Sequence, residues 1–129
     1  MIMDTSAIVA ILRQEPEARR FAEAIEAAPV RRISATTYVE IGAVIDGARD
    51  PVASRLVDAL LAMAGIIIEP VTAAQARIAR EAYRDFGKGS GHAAGLNFGD
   101  CFAYALAKAT GEPLLFKGDD FSHTDVAAA

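Results

Sequence analysis

Short apolar runs alternate along the chain with longer segments that have helical spacing. The short runs cover residues 1–3, 30–34, 66–68 and 113–116, and each has the length and composition of a strand. Three consecutive isoleucines make the run at 66–68 the clearest strand, and we expect it to be buried. A last short strand is expected near Val126.

Helical periodicity indicates helices over residues 7–12, 17–28, 37–48, 51–64, 72–86 and 98–110. Asp50 and Asn97 precede two of these helices as N-cap residues, and Gly65 and Gly111 follow two as stop signals. Residues 87–99 contain five of the ten glycines and are expected to form a mobile loop. Strands that alternate with helices predict an α/β domain with a mostly parallel sheet and right-handed crossovers.

Composition sets the class of protein. The 129 residues suit a single domain spanning 1–129, and 53% apolar against 23% charged residues indicates a packed core. No apolar run is long enough to span a membrane, the first residues lack a basic flank, and Cys101 has no disulfide partner. We therefore expect a cytoplasmic protein with no membrane association. A net charge of −4 disfavours nucleic-acid binding by overall charge, so any such binding requires a local basic patch or bound cations.

Three acidic residues stand alone within apolar segments. Asp4 is the only charged residue among the first 12, Glu40 the only one between residues 33 and 45, and Asp100 the only one between residues 93 and 107. An ionised carboxylate in such surroundings is costly unless a partner compensates it. A fourth candidate, Asp119, follows the strand at 113–116, with Asp120 beside it.

The predicted fold brings these acids to one place. In a parallel α/β sheet the carboxyl ends of strands and the amino ends of helices share an edge, where ligands bind. Asp4 and Asp119 follow strands, while Glu40 and Asp100 lie in the early turns of helices. Converging carboxylates repel each other unless divalent cations neutralise them, so the sequence predicts a Mg²⁺ or Mn²⁺ site and metal-assisted phosphodiester hydrolysis.

Each acid also has an ordinary structural interpretation. Asp4 is a suitable N-cap and Asp100 a suitable acid for the first turn of a helix. Glu40 is beyond the cap of its helix, although a hydrogen bond to Thr36 or Tyr38 would satisfy it. Asp119 and Asp120 alone would form a solvated turn. The four together at one edge favour the metal site.

These segments resemble the PIN-domain ribonucleases, and specifically the VapC toxins of bacterial toxin–antitoxin modules. The similarity covers the whole chain and rests on the segments M-D-T-S-A, Y-V-E-I, L-N-F-G-D-C-F-A-Y-A-L-A-K and P-L-L-F-K-G-D-D-F-S-H-T-D. The resemblance implies a three-layer α/β/α domain with four to five short strands. It also implies an endoribonuclease that depends on Mg²⁺ or Mn²⁺, cleaves RNA of the tRNA or rRNA class, forms a homodimer and is inhibited by a VapB-type antitoxin.

The resemblance also assigns roles to residues. It implies that Asp4 and Asp100 are the principal metal ligands, that Glu40 binds metal or acts as general base toward the attacking water, and that Asp119 assists. Asp120 is the substitute for Asp119, and Ser6 matches a hydroxyl that supports the first acid. The implied products carry a 5′-phosphate and a 3′-hydroxyl.

Other interpretations remain open at this point. Arg77, Arg80, Arg84 and Lys88 share one helical face, which either contacts RNA or is a solvated face with Arg77 paired to Glu81. A receiver-like phospho-acceptor domain has a similar length and acidic edge, but needs a pair of acids after its first strand, where this chain has Asp4 alone. A catalytically silent PIN-like interaction module is the third alternative.

Overall fold

The computed structural model describes residues 1–129 and contains four strands and six α-helices. The strands are β1 (Ile2–Met3), β2 (Arg32–Ser34), β3 (Ile67–Glu69) and β4 (Leu114–Leu115). The helices are α1 (Thr5–Leu12), α2 (Ala18–Ala27), α3 (Ala35–Asp46), α4 (Pro51–Met63), α5 (Ala73–Phe86) and α6 (Phe98–Thr110), followed by a short 3-10 helix, Asp120–His123. Every predicted helix is present, with ends displaced by a few residues.

The strands form one parallel sheet in the order β3-β2-β1-β4. Ile2 pairs with Leu114 on one side of β1 and with Arg32 on the other, so β1 is central. The predicted parallel sheet is therefore confirmed. All four strands end at the same edge, and α1 and α3 begin there directly after β1 and β2.

Helices cover both faces of the sheet because successive strand side chains point to opposite sides. Ile2 and Leu114 pack into a cluster of 13 buried residues supplied largely by α5 and α6. Met3 and Leu115 pack into a second cluster of 13, supplied by α1 to α4 and including Phe21. These layers are the α/β/α sandwich that the sequence predicts.

Two local expectations are wrong. Ile67 and Ile68 are 46% and 42% exposed, because β3 is the edge strand and its isoleucines are only partly covered. No strand forms at Val126, where the chain makes only an isolated bridge between Leu114 and Ala128. None of the helices is long and apolar enough to cross a membrane.

The glycine-rich segment is partly anchored to the core. Gly87 bridges to Leu96, and both Ala94 and Leu96 are fully buried. This packing holds the second half of the segment in place ahead of α6. The second half of the segment is therefore held against the core, although the glycine content predicts a mobile loop over all of residues 87–99.

Candidate active site

Asp4 lies at the end of the central strand and caps α1. Its backbone N–H donates to Leu115 O (2.9 Å), which extends the pairing of β1 with β4 by one residue. Its carboxylate Oδ2 accepts hydrogen bonds from Ser6 N (3.0 Å) and Ser6 Oγ (2.6 Å). The other oxygen, Oδ1, is buried and has no hydrogen-bond partner. Burial raises the pKa of Asp4, and the charge of Asp120 adds to that rise.

Ser6 connects this carboxylate to the loop after β4. Its hydroxyl donates to Asp4 Oδ2 and accepts a hydrogen bond from the backbone N–H of Lys117 (3.0 Å). Both hydrogen-bonding functions of the hydroxyl are thus used, which fixes the Asp4 side chain in one orientation.

Glu40 extends from the second turn of α3 and is half-buried. Its Oε1 accepts a hydrogen bond from Thr5 Oγ1. Neither sequence candidate for a structural partner is used, because the Tyr38 hydroxyl donates to Asp58 instead (2.8 Å) and Thr36 bonds Ser34 through its backbone N–H. Burial raises the pKa of Glu40, with a further contribution from the charge of Asp4.

Asp100 is the third residue of α6 and forms a capping box with Asn97. Asn97 Oδ1 accepts from Asp100 N (2.8 Å), and Asp100 Oδ2 accepts from Asn97 N (2.9 Å). The residue is 9% exposed. Burial, followed by the charges of Asp4, Glu40 and Asp120, raises the pKa of Asp100 to about 7. Asp100 therefore takes part both in the capping box of α6 and in the acidic cluster.

The last acid of the group is Asp120, which begins the short 3-10 helix. Its charge contributes to the raised pKa values of both Asp4 and Asp100. Asp119 and Asp120 are both exposed. The structure thus brings together Asp4, Glu40 and Asp100 with the charge of Asp120 acting on them, and the choice between Asp119 and Asp120 as the fourth acid stays a prediction.

No cation compensates these charges. None of the ion pairs of the chain includes Asp4, Glu40 or Asp100. No three acidic, histidine or cysteine side chains are arranged to bind one ion together. The donors nevertheless suit Mg²⁺ or Mn²⁺, because these ions prefer carboxylate oxygens, need only one or two of them and keep several waters. The unpartnered, buried Oδ1 of Asp4 is an available ligand of this kind.

The basic residues of α5 lie on an exposed surface. Arg77, Arg80 and Arg84 line one shallow cleft of about 630 Å³ together with Glu81 and Tyr83. Arg84 pairs with Asp85 (2.8 Å), and the expected pair of Arg77 with Glu81 is not formed. Lys88 does not line this cleft.

Sequence reasoning missed two residues of the site, Thr5 and Gly99. Thr5 reads as part of a capping turn, yet its hydroxyl contacts a carboxylate 35 residues away. Gly99 reads as the last glycine of a loop, yet it is buried in α6 against the Glu40 carboxylate. Their positions within the similar D-T-S and G-D segments are the only sequence signal for them.

The model of the PIN-domain family matches residues 1–127. Two relatives from Mycobacterium tuberculosis align with all 129 residues: Ribonuclease VapC28 is 60% identical and Ribonuclease VapC42 is 57% identical, with 97% and 98% of those proteins covered. The chain belongs to the PIN-domain family, among the VapC ribonucleases.

Solved structures of the same class have the fold of this PIN domain. The crystal structure of VapC20 from M. tuberculosis, described as a sarcin-ricin loop cleaving toxin, matches with a TM-score of 0.77 at 18% identity, covering 99% of this chain and 97% of that one. A toxin–antitoxin complex from Klebsiella pneumoniae matches with a TM-score of 0.73 at 19% identity, covering 99% and 95%. The predicted fold and the predicted class, a PIN-domain ribonuclease of the VapC type, are confirmed, and the receiver alternative is excluded.

Proposed function

We propose that this VapC-type PIN domain is an endoribonuclease that depends on a divalent metal ion and uses Asp4, Glu40, Asp100 and Asp120 as its active site. One observation carries the proposal. Three carboxylates from separate elements share one sheet edge without a lysine or arginine partner, and the buried Oδ1 of Asp4 has no hydrogen bond. Such an arrangement is costly for a protein unless a cation binds there.

Asp4 and Asp100 are the residues that we propose to hold the metal. In each carboxylate, one oxygen accepts a structural hydrogen bond and the other is available to a ligand. Ser6 and Asn97 hold these carboxylates in place, so little side-chain freedom is lost on binding. When bound, Mg²⁺ or Mn²⁺ would neutralise the carboxylates and stabilise the negative charge that develops on the phosphate during hydrolysis.

Glu40 is suited to accept a proton from the attacking water. Burial raises the pKa of Glu40, which makes it a stronger base than an ordinary glutamate. Thr5 occupies Oε1, which leaves Oε2 without a hydrogen bond and ready to accept. Asp120 would assist from the mouth of the site, and we propose it in place of Asp119 because its charge acts on Asp4 and Asp100.

The substrate and partners follow from the family. The description of VapC20 names the sarcin-ricin loop and that of the Klebsiella neighbour names a toxin–antitoxin complex. We propose RNA of the tRNA or rRNA class as the substrate and a VapB-type antitoxin as the inhibitor. A basic antitoxin side chain would neutralise the acids in place of metal. A homodimer stays a prediction.

Cleavage by the purified chain tests this function. Metal-stripped protein is supplied with Mn²⁺ or Mg²⁺ and incubated with tRNA and rRNA, and the new ends are sequenced. We expect metal-dependent cleavage that leaves 5′-phosphates. Asp4→Asn, Asp100→Asn and Glu40→Gln should each lower the rate by about 100-fold or more, because each removes a group used in the transition state.

Adjacent acids supply the matched control. Asp120→Asn should lower the rate more than Asp119→Asn, since the charge of Asp120 acts on the buried carboxylates of Asp4 and Asp100. Equal rates for wild type and Asp4→Asn would refute the site. Absence of cleavage under all metal conditions, with a correctly folded protein, would favour the silent interaction module.

A further inference from the structure

Gly99 lies where the second acid meets the third. It is the second residue of α6, is buried and directly precedes Asp100. Its φ angle is not positive, so the backbone conformation does not require glycine. Glycine in the first turn of a helix lowers stability relative to alanine. The presence of glycine at residue 99 therefore needs an explanation other than its backbone conformation.

That explanation is the carboxylate of Glu40. A Cβ placed at residue 99 would lie 2.8 Å from Glu40 Oε1, 2.5 Å from Cδ and closer still to Oε2. The carboxylate therefore occupies the space that any side chain at residue 99 would fill. All three of the nearest atoms belong to this one group.

The opposite side of the same carboxylate is also fixed. Thr5 Oγ1 donates to Glu40 Oε1 from the start of α1, while the capping box of Asn97 and Asp100 holds the first turn of α6. A methyl group at residue 99 would displace this carboxylate. The side chain would rotate toward water, because its far end is flexible while the helix backbone is not.

We propose that Gly99 is a positioning residue, whose lack of a side chain lets the Glu40 carboxylate seat against α6 beside Asp100. This inference rests on the proposed function, in which Glu40 is the base. It predicts that Gly99→Ala leaves the fold intact and lowers activity by displacing Glu40. The space left at residue 99, the hydroxyl of Thr5 and the capped first turn of α6 would together set the position of the Glu40 carboxylate.

The test compares Gly99→Ala with Gly42→Ala. Gly42 is the matched control because it is also helical and an added Cβ there would meet only Asp46 Oδ2, at an ordinary 3.6 Å. We expect Gly99→Ala to lower kcat by about 10- to 100-fold, the usual cost of moving a catalytic group by about 1 Å. Gly42→Ala should cleave at the wild-type rate, and both should melt cooperatively near the wild-type Tm.

Combination with changes at Glu40 separates a positioning role from a general structural one. In the Glu40→Ala background, Gly99→Ala should leave the residual rate unchanged and should not lower the Tm of the metal-free protein, because there is no carboxylate to displace. In the Glu40→Asp background, whose shorter side chain does not reach residue 99, the effect of Gly99→Ala should fall below about 3-fold.

Each outcome decides the matter. If Gly99→Ala fails to fold but Gly99→Ala with Glu40→Ala melts like Glu40→Ala alone, the carboxylate is again the displaced group. If both proteins fail to fold, or if Gly99→Ala is as active as wild type, the proposal is wrong. Retained activity in Glu40→Gln would instead overturn the proposed function, so the two failures are distinguishable.

Discussion

Replacing Asp100 by asparagine should stabilise the metal-free protein at neutral pH while removing its activity. Burial raises the pKa of Asp100 to about 7 from 3.8, and the charges of Asp4, Glu40 and Asp120 contribute. Between those pH values the folded protein keeps a proton that the unfolded chain has released. The contribution of Asp100 to stability is therefore most favourable below pH 4 and is lost as pH rises through 7.

The magnitude follows from the two pKa values. Their difference corresponds to about 4 kcal/mol, at about 1.4 kcal/mol per pH unit. Water at the open edge of the sheet screens part of this, so we expect a cost of about 2 kcal/mol at pH 8. Asparagine removes the charge and keeps a carbonyl oxygen to accept the hydrogen bond from Asn97.

Urea unfolding in EDTA, followed by circular dichroism from pH 4.5 to 8, measures the effect. Asp100→Asn should unfold at a midpoint higher by about 1 M at pH 8, with little difference at pH 4.5. Asp119→Asn is the matched control, because its carboxylate is exposed. If Asp100→Asn and the wild type have the same midpoint at pH 8, or if their difference does not vary with pH, the inference that burial raises the pKa of Asp100 is refuted.

Two further changes probe the surroundings of the site. Thr5→Val removes the hydroxyl that donates to Glu40 and should lower the cleavage rate by about 10-fold, the equivalent of one hydrogen bond to a charged group. Thr5→Ser keeps the hydroxyl and should retain the wild-type rate. Equal rates for the two variants would contradict this role of Thr5. Burial raises the pKa of Cys101 to about 11, so iodoacetamide at pH 8 should modify the thiol in urea but not in the folded protein, as measured by mass spectrometry. Rapid modification without urea would show that α6 opens.

The sequence predicts the order of elements because local signals decide it. Asp50 and Asn97 do cap their helices, and Gly111 adopts the left-handed conformation that ends α6. Isolation of Asp4, Glu40 and Asp100 within apolar segments suffices to bring them to one edge once a parallel sheet is assumed. These inferences need only the neighbours of each residue along the chain.

The failures concern features that depend on three-dimensional neighbours. Isoleucine suits an edge strand as well as a central one, so the exposure of β3 could not be read from its composition. Asp119 and Asp120 are adjacent in sequence, so no local pattern distinguishes them, whereas in the structure the charge of Asp120 acts on Asp4 and Asp100. The contacts of Glu40 with Thr5 and Gly99 join residues far apart in the chain, which no local pattern reports.

Pairing of the central strand with β4 has a consequence for biosynthesis. Asp4 is held by Leu115 O through its backbone and, by way of Ser6, by the Lys117 backbone, so its position depends on residues that are synthesised more than 100 positions later. A nascent polypeptide still lacking β4 would have no partner for that side of β1. The carboxylate of Asp4 would thus reach its final position only after β4 has emerged and paired with β1.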